Sequence, residues 1–121
     1  MQGLQVLGFL SNDFGMQGGD PNQIDACNGK YMVTFDQFAL DHVVPPSAQP
    51  VFAWLESQPN PNPPLSLEPA WNFHKYLISR DGQLVHHWAT AVYPGADPND
   101  PTSTFDTNEI VLAIKAELAK P

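Results

Sequence analysis

Residues 71–89 read WNFHKYLISRDGQLVHHWA. Two runs rich in apolar, aromatic and β-branched residues flank Asp81-Gly82, the dipeptide pattern that most strongly marks a hairpin, so the stretch predicts two antiparallel strands. The first strand is expected to open at Trp71 and Asn72. A tryptophan is costly to expose, and an asparagine amide needs partners wherever water is scarce, so polar donors are expected at this strand mouth.

Upstream of the hairpin, residues 58–69 carry five prolines in twelve positions, which makes them an extended surface loop. Before that loop, Ser47 and Pro50 predict a helix cap and first turn, and VFAWL sets Val51, Trp54 and Leu55 on one core-facing helical face. The N-terminal LQVLGFL, residues 4–10, is apolar without clean alternation, the pattern of a strand covered on both faces. Residues 11–21 are rich in Gly, Asn and Asp and read as a loop entering a helix near Pro21. Ile24, Cys27 and Tyr31 give that helix only a weak apolar stripe. MVTFDQF, residues 32–38, fits either a short strand or an extended segment. Downstream of the hairpin, residues 93–106 form a second Pro-containing loop. Thr107 then caps a helix whose buried stripe is Ile110, Val111, Ile114 and Leu118. Strand, helix, possible strand, helix, hairpin and helix amount to an α/β layer with an antiparallel edge, one domain spanning residues 1–121.

Thirteen acidic against five basic residues give a formal charge of −8, which repels phosphate backbones and anionic membranes alike. Neither nucleic acid nor membrane is an expected partner. No window approaches the roughly 18 apolar residues of a membrane span, and the N-terminus lacks the basic start of a secretory signal, so a cytoplasmic location is expected. The one cysteine, Cys27, excludes an internal disulfide and a thiolate-rich zinc site. His86 and His87 are adjacent on a strand and face opposite sides, so they do not readily share one metal. With His42 and His74 they read as ordinary strand residues, and Trp54 and Trp88 as packing residues. Asp97, Asp100 and Asp106 match no calcium-loop spacing and read as a solvated loop. Neither a metal nor a cofactor is expected.

Taken as blocks, GLQVLGFLSNDFGMQ (3–17), IDACNGKYMVTF (24–35), PVFAWL (50–55) and AWNFHKYLISRDGQLV (70–85) resemble, in order, the glutathione peroxidase family, a branch of the thioredoxin-like fold. The resemblance implies thiol-dependent reduction of hydrogen peroxide or organic hydroperoxides, an oxidative-stress activity. It also implies that Gln17, Trp71 and Asn72 are catalytic donors to a peroxidatic cysteine or selenocysteine. Three N–H donors aimed at one point favour an anion there and depress a thiol pKa from about 8.5 towards neutrality. Cys27 matches the resolving cysteine of members reduced by thioredoxin, although on its own residues it reads as a small, partly buried helix position. Glutathione fits less well, because Arg80 is the chain's one arginine.

The departures from the family are equally specific. The family's nucleophile lies on a Cys-x-x-Thr turn ahead of the strand that here is LQVLGFL, and these 121 residues contain no such turn. The expectation is a thioredoxin-like α/β domain lacking the N-terminal strand and helix, catalytically incomplete as this chain. Leu10, Ser11, Asp13 and Gly18-Gly19 replace the family's proline, cysteine, glutamine and acidic-proline pair. The competing expectation is a binding module that pairs through its open sheet, as a homodimer.

Overall fold

A computed structural model describes residues 3–17 and 19–121. The chain divides into two compact units, Gln5–Ser57 and Gln58–Pro121, the latter also taking in Gly3 and Leu4.

In the Gln5–Ser57 unit, β1 (Leu7–Phe9) pairs in parallel with β2 (Asp36–Phe38), and helix α1 (Pro21–Tyr31) makes the crossover that a parallel pair requires. The predicted loop from residue 11 is found over its described residues, Gly18 lying outside them, and the helix starts at Pro21 as expected. Asp20 caps α1 through a reciprocal box: its carboxylate accepts the Gln23 N–H, and the Gln23 side chain accepts the Asp20 N–H, each at 2.9 Å. Met32 ends the helix in the left-handed region (φ 51°). Phe9 stacks on Phe38, its ladder partner, with ring centroids 4.5 Å apart, and meets Phe52 edge-on at 5.4 Å. At Gly8 a Cβ would sit 2.9 Å from the Phe35 ring, so a larger residue there requires that ring to shift.

Three expectations for this unit are corrected. The strand over 4–10 shrinks to Leu7–Phe9 and is not covered on both faces: Leu7 is 48% exposed, and among the described residues β1 has one ladder partner, β2. Helix α2 (Pro50–Ser57) turns Phe52 and Leu55 inward, while Trp54 is 39% exposed and is not the packing residue its helical spacing suggested. Ser47 does not cap α2; the Gln49 carbonyl accepts the first N–H groups, those of Phe52 and Ala53, at 3.0 Å each.

In the Gln58–Pro121 unit, β3 (Lys75–Ile78) and β4 (Leu84–Trp88) form the predicted hairpin, with Lys75 opposite Trp88 and a bulge between Leu77 and Ile78. The turn closes through Ser79 N–H to Gln83 O at 2.9 Å, with Gly82 at φ 77° as Asp-Gly chemistry requires. The first strand does not open at Trp71, however. Residues 71–74 form a turn, and pairing begins at Lys75. Helix α3 (Glu109–Leu118) buries Ile110 and Val111 and half-buries Ile114 and Leu118, the expected stripe. Its cap is Asn108 rather than Thr107, which instead ends a 3-10 turn, Phe105–Thr107. The Asn108 side chain accepts the Ile110 and Val111 N–H groups at 3.1 Å and donates to the Tyr93 and Gly95 carbonyls, so it pins the preceding loop as well.

Candidate active site

The turn that carries Trp71 and Asn72 is held from both sides by polar groups. At its centre Phe73 adopts φ 60° and is 78% exposed. A left-handed backbone at a bulky residue costs about 1–3 kcal/mol and persists only where its surroundings hold it. On one side, Thr90 Oγ1 donates to the Asn72 carbonyl. Thr90 lies in the turn after β4, and that turn wraps around the Lys75 ammonium, which donates to the carbonyls of Val92 at 2.6 Å and of Ala89 and Thr90 at 3.3 Å each. Partial burial lowers the Lys75 pKa.

On the other side the His74 ring enters a buried chain of hydrogen bonds. His87 is 0% exposed, with Nδ1 3.0 Å from His74 Nε2 and Nε2 3.0 Å from Asn60 Oδ1. The partners assign the protons. Asn60 Nδ2 donates to the Leu65 carbonyl, so Oδ1 must accept, and His87 carries its proton on Nε2. His87 Nδ1 then accepts from His74 Nε2–H, and both rings are neutral. Burial first, then the neighbouring His87 and Lys75, pushes the His74 pKa down to about 4. Burial and His86 lower that of His87. Asn62 clasps the same strand, giving Nδ2–H to the His87 carbonyl at 3.0 Å and taking the His87 N–H at 3.2 Å. Tyr76 Oη donates to the Leu67 carbonyl at 2.6 Å. The proline-rich loop is therefore docked on the hairpin rather than merely extended over the surface. His74 and His87 are correspondingly not ordinary strand residues.

Trp71 is 48% exposed and Asn72 half-buried, side by side in this turn. Gln17 and Cys27 belong to the Gln5–Ser57 unit. Gln17 is exposed and follows two left-handed residues, Gly15 (φ 66°) and Met16 (φ 55°). Its loop is tied down by Asp13, whose Oδ2 accepts the Val43 N–H at 2.7 Å and whose Oδ1 lies 2.6 Å from His42 Nδ1. Burial pushes the Asp13 carboxyl up, but the Val43 and His42 hydrogen bonds outweigh it and hold the pKa below the usual value. The Asp13 hydrogen bond and charge raise the pKa of His42, which lies in a loop and not on a strand. Cys27 is exposed on α1, a correction to its reading as a partly buried position. In the 97–106 loop the carboxylates serve local turns: Asp97 accepts from Asn99, Asp100 from Thr102, and Asp106 pairs with Lys115.

Sequence reasoning missed Lys75, Thr90, Asn60 and the histidine pair. Only Lys75 carried a signal, as the lysine of the WNF-x-K block; the others are distant in sequence and meet only through the hairpin register and the docked loop.

A parallel strand–helix–strand unit followed by a helix, a hairpin and a final helix defines the class, a thioredoxin-like α/β protein. A crystal structure described as "Trgpx in apo form" superposes on 97% of this chain and 58% of its own chain, with a TM-score of 0.62 and 27% sequence identity. The "Glutathione peroxidase-like peroxiredoxin gpx1" of Schizosaccharomyces pombe is 35% identical over 102 residues, which cover 82% of this chain and 63% of that protein. A "Glutathione peroxidase" of Lactococcus lactis is 37% identical over 95 residues, covering 77% and 59% respectively. Over most of its length the chain is similar to members of the glutathione peroxidase family. It spans about three fifths of the length of these curated relatives, 63% and 59%. No family model matches it. Among the described residues, no helix is long and apolar enough to cross a membrane.

Proposed function

We propose that this chain is the donor-bearing part of a peroxidase that reduces hydrogen peroxide or organic hydroperoxides at the expense of a thiol. The observation that carries the reading is the Trp71–Asn72 turn, strained at Phe73 and clamped on both sides, in the block most specific to the family. Gln17, Trp71 and Asn72 serve as N–H donors that stabilise a thiolate and then the leaving oxygen. The nucleophile is not among these 121 residues, since Cys27 is their one cysteine. In the reaction the thiolate sulfur attacks one peroxide oxygen, the O–O bond breaks, and a proton converts the departing oxygen to water or alcohol. The Cys27 thiolate then attacks the sulfur of the sulfenic acid left behind; the S–S bond forms as the S–O bond breaks, and a proton from solvent converts the departing hydroxide to water. A thioredoxin-type dithiol then reduces that disulfide. The exposure of Cys27 favours this resolving role. Arg80 is engaged elsewhere, donating to the Glu117 and Lys120 carbonyls at the end of α3, which favours thioredoxin over the anionic glutathione.

The reading includes a single domain over residues 1–121 and a cytoplasmic setting. It is tested by thioredoxin-coupled peroxide consumption. The 121-residue chain should be inactive and indifferent to Cys27→Ser, whereas with a Cys-x-x-Thr segment joined ahead of β1, turnover should appear and fall roughly 100-fold on Asn72→Ala. Turnover by the 121 residues that vanishes on Cys27→Ser would make Cys27 the nucleophile and overturn the assignment. A second reading, a homodimer through the open sheet, is favoured by the exposure of Leu7, Phe35, Phe38 and Leu40. A clean monomer in sedimentation at micromolar concentration would rule it out.

A further inference from the structure

We propose that Lys75, acting through Thr90, is a positioning residue for the Trp71–Asn72 turn. The proposal rests on the reading of Trp71 and Asn72 as functional donors, but its geometry stands on observations of its own. A lysine ammonium has three N–H groups in a tetrahedral array and no acceptor. Lys75 directs its ammonium at three main-chain carbonyls, those of Ala89, Thr90 and Val92, with the bond to Val92 the shortest at 2.6 Å. The segment 89–92 closes on itself through Val92 N–H to Ala89 O at 3.2 Å. The cation is thus the centre about which this turn is folded. Thr90, inside that turn, donates its hydroxyl to the Asn72 carbonyl. A path of two hydrogen-bonded steps therefore runs from a strand residue, through a turn 14–17 residues away in sequence, to the main chain of Asn72.

The neighbouring residues explain why such support is required. Phe73 sits immediately after Asn72 at φ 60°, a conformation the local sequence does not favour. His74, the residue after that, is anchored through its ring to buried His87. With the ring of His74 fixed on one side and the carbonyl of Asn72 on the other, Phe73 has no freedom to relax to negative φ. Removing the Lys75–Thr90 side of the clamp leaves the His74 side in place, so the turn relaxes without the hairpin being lost. Arginine is a poor substitute, because its planar fork does not converge on three carbonyls wrapped around a point charge.

The experiment uses the 15N-labelled 121-residue chain and follows the Trp71 indole N–H and the Asn72 backbone and side-chain amides by NMR. Lys75→Met and Thr90→Val should shift all of these signals, Thr90→Ser should leave them in place, and Lys75→Arg should not restore them. In the double variant the displacement should be no larger than in Lys75→Met alone. If Lys75→Met lowers the melting temperature while the Trp71 and Asn72 signals stay where they were, Lys75 is structural only and the proposal is overturned. Should Lys75→Met fail to fold, Thr90→Val decides alone, and unshifted signals there overturn the proposal equally. A loss of the donor reading looks different. In the activity assay of the extended protein, Asn72→Ala would be harmless while the Lys75→Met and Thr90→Val shifts persist.

Discussion

The two units solve the same problem with different chemistry. In Gln5–Ser57 the strands are three residues long, α1 buries none of its residues, and the interior rests on Val43, Leu55 and the rings of Phe9 and Phe52, with the exposed Phe38 ring stacked on Phe9. In Gln58–Pro121 a hairpin buries a histidine completely, and its loops are fastened by side-chain amides, a lysine and a hydroxyl reaching main-chain groups. Contacts between rings tolerate small shifts. A buried hydrogen-bonded chain does not, because each member left without its partner keeps its full desolvation cost. The strained turn carrying Trp71 and Asn72 lies in the unit built the second way, where geometry is held most tightly.

The largest effects should come from the centres of the two arrangements. Phe52→Ala should lower stability by roughly 3–4 kcal/mol through loss of buried ring area and a cavity. His87→Ala should cost roughly 3 kcal/mol, in part by leaving the His74 Nε2–H without its acceptor, whereas Asn60 Oδ1 keeps the Asn62 N–H. Urea denaturation measures both, and its pH dependence separates them. His74 is held neutral in the folded state, with a pKa of about 4 against an ordinary 6.5. The unfolded chain therefore binds more protons between those values, and stability is full above pH 6.5 and falls as the pH drops towards 4. His87→Ala should flatten that slope, and Phe52→Ala should leave it intact.

The Asp13–His42 tie in the other unit has the opposite sign. The raised pKa of His42 means that its contribution is present below pH 6.5 and fades as the pH climbs through the folded value. The Asp13 part is present above pH 3.8 and fades in acid. NMR titration of the histidine ring protons should show His42 titrating above 6.5 and His74 near 4; a coincident midpoint would erase the contrast. Asn108→Ala should cost about 1–2 kcal/mol, since the cap of α3 and the anchor of the 93–95 segment are one side chain, and thermal melting should show it. The smallest effect belongs to Trp88→Phe. Its indole N–H is buried without a partner among the described residues, so losing it offsets the lost area, and stability should change by less than about 1 kcal/mol.

How far the chain could be read before folding depended on the range of the forces involved. The Asp81-Gly82 hairpin, the helix start near Pro21 and the Ile110, Val111, Ile114 and Leu118 stripe were all legible, because turn chemistry, proline's fixed φ and periodicity act over a few residues. Asn108 was misassigned by one position, since its advantage over Thr107 lies partly in two carbonyls of a loop 13–15 residues upstream. Trp54 and Phe52 were exchanged for a similar reason: both fit an apolar helical face, and the choice rests with Phe9, which meets Phe52. Of the candidate site, Trp71 and Asn72 were legible as a pair, but their supports were not.

For this protein, then, local chemistry along the chain was enough to specify the hairpin, the helix ends and the family block around Trp71 and Asn72. Tertiary structure decided that these two residues stand in a left-handed turn and not on a strand. No short-range preference favours φ 60° at a phenylalanine; Lys75, Thr90 and the buried His74–His87 pair, brought together by the fold, fasten the chain on both sides of it.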